Sequence, residues 1–394
     1  MSTLPLSGIT VLALEQAVAG PLCTRHLGDL GARVIKIERP GGGDFARTYD
    51  TTVHGLSSYF VWLNRGKESV TLDLKQPDAR AILQALVEHS DVIVQNLAPG
   101  AVDRLGVGPD QVLAEHPAKV YCSISGYGSG GPYEYRKAFD LLLQGETGVI
   151  ATTGSGDDMA KLGISVGDIG AGVYGAMAVL AALLERERTG LGRHVQSSLF
   201  DALSEWMGYP LYYTAHGGTP PARAGVRHAT VVPYGAYRCG DGDQVLLAVQ
   251  TDAQWQSFCR DVCDHPEWID DPRFNTVPNR RANRDALESA IESALAAYTR
   301  DEVTRRLEAA DIPYGDLNSI EQFSHHPQLA ARDRWQEIAT PGGPMRALRP
   351  PFGIGDLELP MGDVPAVGQH TGAVLAELGF EPGSIDQLRA SGAI

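Results

Sequence analysis

The first half of the chain alternates short apolar runs with helical patterns, and this alternation constrains the fold more than any other feature. Six runs are typical of strands: ITVLAL (9–14), RVIKIE (33–38), SVTLDL (69–74), DVIVQN (91–96), KVYCSI (119–124) and HVQSSLF (194–200). Helical stretches, such as 23–32 and 78–89, lie between several of them. This pattern predicts a parallel sheet with helices on both faces, whose ligands bind at the carboxyl ends of the strands.

A dinucleotide-binding fold is the first interpretation of such alternation, but the turn after the first run does not fit it. That turn is EQAVAGP (15–21) rather than GxGxxG. Glu38 ends the second run where a ribose-binding acid is expected, and Arg39 follows it directly. Such a pair can bind a phosphate as readily as a ribose. We therefore do not expect a nicotinamide enzyme.

The longest helical pattern runs over 165–187, SVGDIGAGVYGAMAVLAALLERE, with Asp168 near its start. Apolar residues at helical spacing predict a stripe that faces a core, made of Ile169, Val173, Met177, Leu180 and Leu184. The glycines would let another backbone approach closely. Asp168 has two interpretations: a helix cap, or a carboxylate that the helix dipole keeps ionised and that acts as a covalent nucleophile. This segment alone favours the cap.

Charge and composition exclude several classes of function. The formal net charge of −15 argues against a nucleic-acid partner, so any phosphate-bearing ligand must be held by a local cluster of Arg, Lys and backbone N–H groups. We expect no signal peptide and no apolar span long enough for a membrane. The odd number of scattered cysteines predicts reduced thiols in a cytoplasm. Cys259 and Cys263 are one helical turn apart without partners to complete a site, so we expect them to pack in a helix and predict no metal.

The length of 394 residues predicts more than one domain. Composition changes near Gly217, where GGTPPARAG (217–225) is typical of a linker. Beyond it, short strands around YGAYRC and DQVLLAVQ and helices at 253–263 and 284–298 indicate a smaller α+β domain.

Several separated motifs, in order along the chain, resemble the family III CoA-transferases (the CaiB/BaiF family). They are LEQAVAGPLCTRHLGDLGARVIKIERPGGGDFAR, LNRGKESVTLDLK, NLAPGAVDRLG, SISGYGSGGPY, DIGAGVYGAMAVLAALLERERTGLGRHVQSSLFDA and GQHTGAVLAELG. The resemblance extends from Gly8 to Gly379. It implies a Rossmann-like α/β large domain built from both chain ends, a small domain in the middle, and a homodimer of interlocked ring-shaped subunits. On this basis the large domain comprises 1–216 and 341–394, the small domain 226–315, and the linkers 217–225 and 316–340.

The resemblance also implies a reaction and a set of site residues. An acyl-CoA donor gives its acyl group to an aspartate that matches Asp168, and CoA passes to an acid acceptor through an aspartyl-CoA thioester. Coenzyme A is thus a substrate, and no tightly bound cofactor is expected. The matching CoA-contact positions are Val18, Ala19, Arg39, Leu72, Lys75, Asn96, Leu97, Arg104, Lys137 and Phe139. The four cations among them would form the positive cluster that an acidic chain requires.

Glu15, Gln16 and Asp140 are candidates for positioning the acid substrates, with structural roles equally open. Oxalate-using members of the family carry Gln where Val18 stands and a poly-glycine loop in the small domain, whereas VQTDAQW (249–255) has none. Both departures indicate another acid. The EQAVA and GDFAR segments look closest to members that use succinyl-CoA and short dicarboxylates such as itaconate.

Two alternatives remain open. The same fold supports 2-methylacyl-CoA racemases, which need a base on each face of the α-carbon. Those enzymes resemble this chain at Asp168 but carry a His where Phe139 stands. The other alternative is a CoA-binding protein without turnover.

Overall fold

The structure, a computed structural model, describes residues 3–394. In chain order, the strands are β1 (Thr10–Leu14), β2 (Arg33–Glu38), β3 (Lys67–Thr71), β4 (Val92–Gln95), β5 (Val120–Ser125), β6 (Gly154–Ser155), β7 (Asp158–Met159), β8 (His194–Ser198), β9 (Tyr234–Arg238), β10 (Gln244–Ala248), β11 (Tyr314–Gly315), β12 (Trp335–Ile338) and β13 (Met345–Leu348).

The α-helices, in the same order, are α1 (Ala19–Asp29), α2 (Ser58–Asn64), α3 (Pro77–His89), α4 (Ala101–Arg104), α5 (Pro109–Glu115), α6 (Asp140–Glu146), α7 (Val149–Thr152), α8 (Val166–Thr189), α9 (Leu199–Trp206), α10 (Gly208–Gly217), α11 (Asp252–Ser257), α12 (Val277–Ala282), α13 (Arg284–Leu295), α14 (Arg300–Ala309), α15 (Ile320–Ser324), α16 (Pro327–Ala331), α17 (Thr371–Glu377) and α18 (Pro382–Ala390). Short 3₁₀ helices cover Phe45–Thr48 and Pro266–Ile269, and a π-helical turn covers Phe258–Val262.

A six-stranded parallel sheet with the order β3-β2-β1-β4-β5-β8 organises the larger unit. Each of the six predicted runs overlaps one of its strands, so the predicted parallel sheet is confirmed. The strands are apolar on both sides because helices cover both faces; Val11, Leu12 and Ala13 of β1 are fully buried. The strand order reverses direction between β1 and β4, which is where sheets of this kind form a ligand-binding crevice.

Two apolar layers enclose this sheet. On one face, residues of α1 and α8 such as Leu27 and Val179 pack against Val11 and Val94. On the other face, Leu83 and Leu86 of α3 pack together with side chains from near the carboxyl end of the chain: Val374, Leu375 and Ile385. The end of the chain therefore contributes to the same core as its beginning.

Helix α8 packs mainly by its small residues, and the predicted apolar stripe is wrong in part, since only Ile169 and Leu180 of its five residues are partly buried against apolar clusters. Val173, Met177 and Leu184 are 43%, 58% and 65% exposed, while the buried residues include Gly172, Gly175 and Ala176. A Cβ atom at Gly172 would lie 2.6 Å from the carbonyl oxygen of Ala19, so only glycine permits this approach of α8 to α1. Periodicity identified the helix but not the face on which it packs. We call Val173, Met177 and Leu184 the outer stripe of α8.

By length and composition, α8 is the one helix of residues 3–394 that could cross a membrane, and half of its most apolar window is buried in the protein. The sequence analysis expected no uninterrupted apolar span long enough for a membrane, whereas α8 meets the criterion of length and composition. The finding is weak evidence for a membrane, since a core helix meets the same criterion.

A second compact unit comprises Ile150–Lys161 and Tyr209–Leu329. It contains the antiparallel sheet β11-β10-β9 and a core in which Cys259 and Cys263 are buried beside Trp255. The first unit comprises the residues up to Val149, Leu162–Gly208 and Ala330–Ile394. These boundaries differ from the predicted ones, partly because the β6–β7 hairpin bonds to the Pro/Gly-rich segment: Gly225 N–H donates to Gly154 O at 2.8 Å.

Candidate active site

Asp168 is the third residue of α8 and is half-buried. Its carboxylate accepts no hydrogen bond within residues 3–394, so it does not cap the helix, contrary to the interpretation that the segment alone favoured. The cap comes from Asp140, whose Oδ1 accepts a hydrogen bond of 2.7 Å from the backbone N–H of Gly167. The structure therefore leaves the Asp168 oxygens available for chemistry.

Burial and, after it, the neighbouring Asp140 carboxylate raise the pKa of Asp168 to about 7. This differs from the sequence-based expectation that the helix dipole keeps the group ionised. Both protonation states of Asp168 are therefore populated near neutral pH. The charge of Asp168 also acts on Tyr49. Burial is the largest cause, followed by Asp44 and Asp168, and together they raise the pKa of Tyr49 to about 12, so its phenol stays neutral.

The turn after β1 is held in an unusual conformation beside α8. Ala17 has φ +61°, a left-handed conformation that costs a residue with a Cβ roughly 1–3 kcal/mol. Asn96 fixes the preceding peptide from both sides, since its Oδ1 accepts from Gln16 N–H and its Nδ2 donates to Gln16 O, each at 2.8 Å. Ile169, the neighbour of Asp168, and Ala17 of this turn both pack against the cluster of Val18, Leu22 and Leu63. The turn and the start of α8 are thus adjacent.

A buried ion network lies beneath the turn. Lys67 Nζ donates to Glu15 Oε1 at 2.6 Å, Thr24 donates to Glu15 Oε2 at 2.7 Å, and Lys36 Nζ donates to Asp44 at 2.9 Å. Burial favours the neutral form of Glu15, but Lys67 and Lys36 outweigh it and lower its pKa. Because the Glu15 carboxylate is buried and both of its oxygens are bonded, this geometry favours its structural role over contact with substrate.

Asp44 connects this network to the turn. Its Oδ1 accepts from Ala17 N–H at 3.2 Å and from Ala46 N–H at 2.9 Å, so this side chain stabilises the left-handed residue by a direct hydrogen bond. The sequence analysis missed Asp44, Lys36 and Lys67 as functional candidates. Their partners are distant in sequence, and the only signal was that they lie in the quoted motifs.

A crevice of about 190 Å³ opens at the carboxyl ends of β1 to β4, where the fold predicts a ligand. It is lined by Gln16, by Glu15 and Asp44 of the ion network, and by four predicted CoA contacts: Arg39, Leu72, Lys75 and Leu97. Leu72 lies just beyond β3 because the predicted strand 69–74 ends at Thr71. We call this cavity the strand-end crevice.

The other predicted CoA contacts lie outside the strand-end crevice. Val18 and Ala19 lie where the adjacent turn meets α1, and Asn96 follows β4 and bonds to Gln16 of that turn. Arg104 is exposed at the end of α4, and Lys137 and Phe139 are exposed before α6. The structure thus brings Arg39 and Lys75 together and does not place Arg104 or Lys137 in the same cavity.

Glu38 is not available as a ribose ligand. Its carboxylate accepts hydrogen bonds from Ser69, Asp44 N–H and the Arg47 guanidinium. Although burial opposes ionisation, Arg47 lowers the pKa of Glu38 to about 2. Its oxygens face protein donors rather than a ligand. Within residues 3–394, no group of three or more His, Cys, Asp or Glu side chains is arranged to hold a metal ion.

A parallel α/β sheet with a crevice at its strand ends and a half-buried carboxylate near the turn after β1 are features of α/β enzymes. The chain belongs to the family III CoA-transferases, since the sequence model of CoA-transferase family III matches residues 6–371. It is 36% identical to the acetyl-CoA:oxalate CoA-transferase of Acetobacter aceti, over 87% of this chain and 89% of that protein. It is 32% identical to the succinyl-CoA:glutarate CoA-transferase of Mus musculus, over 99% of this chain and 90% of that protein.

The structure is similar to the crystal structure of a CaiB/BaiF family protein from Brucella suis, with a TM-score of 0.83 and 33% identity over 96% of this chain and 100% of that one. Together these relatives identify the chain as a CoA-transferase that acts on CoA thioesters.

Proposed function

We propose that this enzyme moves CoA from succinyl-CoA to a short dicarboxylic acid, with Asp168 as the covalent nucleophile. The observation that carries the proposal is the state of Asp168. It lies half-buried at the start of α8, its carboxylate is unbonded within residues 3–394, and its pKa is raised to about 7. A desolvated carboxylate that gains nothing from hydrogen bonds is a stronger nucleophile than one in water.

In the first half-reaction, the ionised Asp168 attacks the thioester carbonyl of the donor and expels CoA thiolate, which leaves a mixed anhydride. The thiolate then attacks the aspartyl carbonyl, releases the donor acid and forms an aspartyl-CoA thioester. Each attack makes a tetrahedral centre whose negative oxygen needs N–H donors. We propose the backbone N–H groups of Val18 and Ala19 as these donors, because the turn lies near the start of α8 while the N–H groups of Gln16 and Ala17 already donate to Asn96 and Asp44.

In the second half-reaction, the acceptor carboxylate attacks the aspartyl-CoA carbonyl and expels the thiolate again. The thiolate attacks the acceptor carbonyl of the new anhydride, which releases the new acyl-CoA and restores the Asp168 carboxylate. No water takes part, and every bond broken is matched by one formed. Dividing the exchange into these steps lowers each barrier.

The CoA moiety would bind in and around the strand-end crevice. Arg39 and Lys75 lie at its rim as exposed cations, which suits the phosphates of CoA in a chain of net charge −15. Arg104 and Lys137 would add to this cluster along the length of the ligand, and Phe139, 63% exposed, is available to stack on it. These contacts rest on the family resemblance.

The identity of the acid acceptor is the most specific element of the proposed reaction. The relatives described above are named for oxalate and glutarate, both dicarboxylic acids. The substitution at Val18 and the missing poly-glycine loop favour an itaconate-like acid over oxalate, while the 36% identical relative keeps oxalate among the candidates. Purified enzyme should be incubated with succinyl-CoA and, separately, with oxalate, glutarate or itaconate, and the acyl-CoA products measured by mass spectrometry. No product from any of the three would reject the dicarboxylate class.

The same assay run in deuterium oxide tests the racemase alternative. That reaction would place deuterium at the α-carbon of a 2-methylacyl-CoA, whereas CoA transfer leaves all carbon-bound hydrogens in place. The position that holds a His in racemases is occupied by Phe139, which cannot act as a base. We expect no deuterium incorporation.

We further propose that the enzyme is an interlocked homodimer in the cytoplasm. The outer stripe of α8 exposes large apolar side chains along a helix whose other face is packed, and such a surface favours burial by a partner. All five cysteines are present as buried thiols, which suits a reducing compartment.

A further inference from the structure

A buried glutamine connects α6 to the segment that leads into α8. Gln144 is fully buried. Its Nε2 donates to Asp140 Oδ2 at 2.7 Å, one helical turn earlier, and reaches Ile164 O at 3.4 Å. Its Oε1 accepts from Leu162 N–H at 2.9 Å. One amide group therefore holds two points of the chain just ahead of α8 together with a carboxylate of α6.

The two oxygens of Asp140 have different partners. Oδ2 is bonded to Gln144, and Oδ1 accepts the N–H of Gly167 at 2.7 Å. Fixing Oδ2 selects the side-chain rotation in which Oδ1 reaches the first turn of α8. That turn carries Asp168, so the position of the nucleophile depends on a bond that it does not itself make.

We propose that Gln144 is a positioning residue for Asp168, acting through Asp140 and through the 162–164 segment. It contacts neither Asp168 nor the strand-end crevice, and the sequence analysis did not single it out. The inference rests on the proposed role of Asp168 as nucleophile and adds Gln144 as a residue that helps to place it.

Two substitutions distinguish positioning from simple space filling. Gln144→Met keeps the volume and removes every hydrogen bond. Gln144→Glu keeps the oxygen that accepts from Leu162, while its second oxygen can donate to Asp140 only when the introduced carboxyl is protonated. Once ionised, it faces the Asp140 carboxylate across a hydrogen-bond distance and the two repel. The defect of Gln144→Glu should therefore grow with pH, and that of Gln144→Met should not.

The charged group that hydrogen-bonds to Gln144 is Asp140, and it acts in turn on Asp168. Tyr49, whose pKa is raised by burial and then by Asp44 and Asp168, stays neutral in the working range. A pH-dependent loss that appears only in Gln144→Glu can therefore be assigned to the introduced carboxyl.

The experiment measures kcat and kcat/KM from pH 5.5 to 9 for the full-length enzyme with succinyl-CoA and its best acid acceptor. We expect kcat/KM of the unaltered enzyme to rise with pH to a plateau. Gln144→Met should lower kcat by about 10- to 100-fold at every pH, the scale of a small misplacement of a reacting group, with little change in KM for the acyl-CoA. Gln144→Glu should give a bell-shaped profile.

Gln111→Glu is the matched control, because Gln111 also donates to a carboxylate four residues away, Glu115 at 3.1 Å, on the exposed face of α5. It should keep the profile of the unaltered enzyme. Wild-type kcat and pH dependence in both Gln144 variants, corrected for the folded fraction by circular dichroism, would overturn the proposal. Hydroxylamine trapping on unaltered enzyme tells the failure of the proposed function from the failure of the positioning role. The absence of a hydroxamate on Asp168 refutes the proposed function, whereas a hydroxamate together with unaffected Gln144 variants refutes only the positioning role.

Discussion

The Oδ1 atom of Asp140 lies 2.7 Å from the backbone nitrogen of Gly167, the residue immediately before Asp168. This one bond caps the first turn of α8 and brings a second carboxylate close to the nucleophile. Burial is the larger cause of the raised pKa of Asp168, and the charge of Asp140 adds to it. The residue that orders the helix start therefore also sets how much of Asp168 is ionised at a given pH.

The first prediction concerns this coupling. The kcat/KM of the enzyme should rise with pH through an apparent pKa near 7, because only ionised Asp168 attacks. Asp140→Asn keeps an oxygen for the Gly167 N–H but removes the charge and the acceptor for Gln144 Nε2, so the profile should move to lower pH while the maximal rate falls. Asp285→Asn, on the exposed side of α13, should not move it. An Asp140→Asn profile that coincides with the wild-type profile would show that the two carboxylates are uncoupled.

The second prediction concerns the ion network beneath the turn. Lys67→Met leaves the buried Glu15 carboxylate without its 2.6 Å partner, which should cost about 3–5 kcal/mol of the free energy of unfolding. Arg389→Met removes the same type of charge from an exposed pair with Asp386 and should cost less than about 1 kcal/mol. Urea unfolding at one fixed protein concentration measures both. Equal costs would mean that the network contributes no more than a surface ion pair.

The third prediction tests the phosphate cluster at a residue whose removal should not disturb the fold. Arg104 is exposed, and its guanidinium makes no hydrogen bond or ion pair with any residue from 3 to 394, whereas Arg39 bonds to Gly43 O at 3.3 Å. Arg104→Ala should weaken acyl-CoA binding by about 1–3 kcal/mol, seen mainly as a higher KM. Arg305→Ala, an exposed arginine of α14, is the control. If KM is unchanged for every acyl-CoA tested, Arg104 is not part of the site.

The fourth prediction concerns assembly. If the outer stripe of α8 is buried in a homodimer, Met177→Glu places a charge in that interface and should shift the protein toward smaller or unfolded species in light scattering. Ala286→Glu, at an exposed position of α13, should leave the assembly intact. The unaltered protein should give no folded monomer on dilution. A natively folded Met177→Glu protein of unchanged size would place the interface elsewhere.

The parts of the fold that follow from local sequence were predictable. The apolar runs that became β1, β2 and β5 were identified to within about one residue, because strands covered on both faces carry a continuous apolar signal. The packing face of α8 was not predictable. Its contact with α1 is made by Gly172, which carries no apolar signal, whereas the visible periodicity marked the outer stripe.

The site was predictable only where it follows a motif. The role of Asp168 as nucleophile was predicted from the family resemblance, whereas its local sequence pattern favoured a helix cap. The bond from Asp140 to Gly167 joins residues 27 positions apart, and that from Lys67 to Glu15 joins residues 52 apart. Such pairings form only once the sheet has folded, so neither the spacing of these residues in the sequence nor their type predicts them. The role of Gln144 could not be predicted either, since no sequence pattern distinguishes a buried glutamine in a short helix from an exposed one.

Covalent acylation of Asp168 is the central claim, and trapping tests it most directly. Enzyme mixed with succinyl-CoA and then hydroxylamine should carry a hydroxamate on the peptide containing Asp168, detected by mass spectrometry, because hydroxylamine attacks the anhydride or thioester at the aspartyl carbonyl. Asp168→Asn should keep the fold and acyl-CoA binding while losing both the modification and CoA transfer, since an amide cannot form the anhydride. An Asp168→Asn enzyme that retains most of its transferase activity would contradict the account.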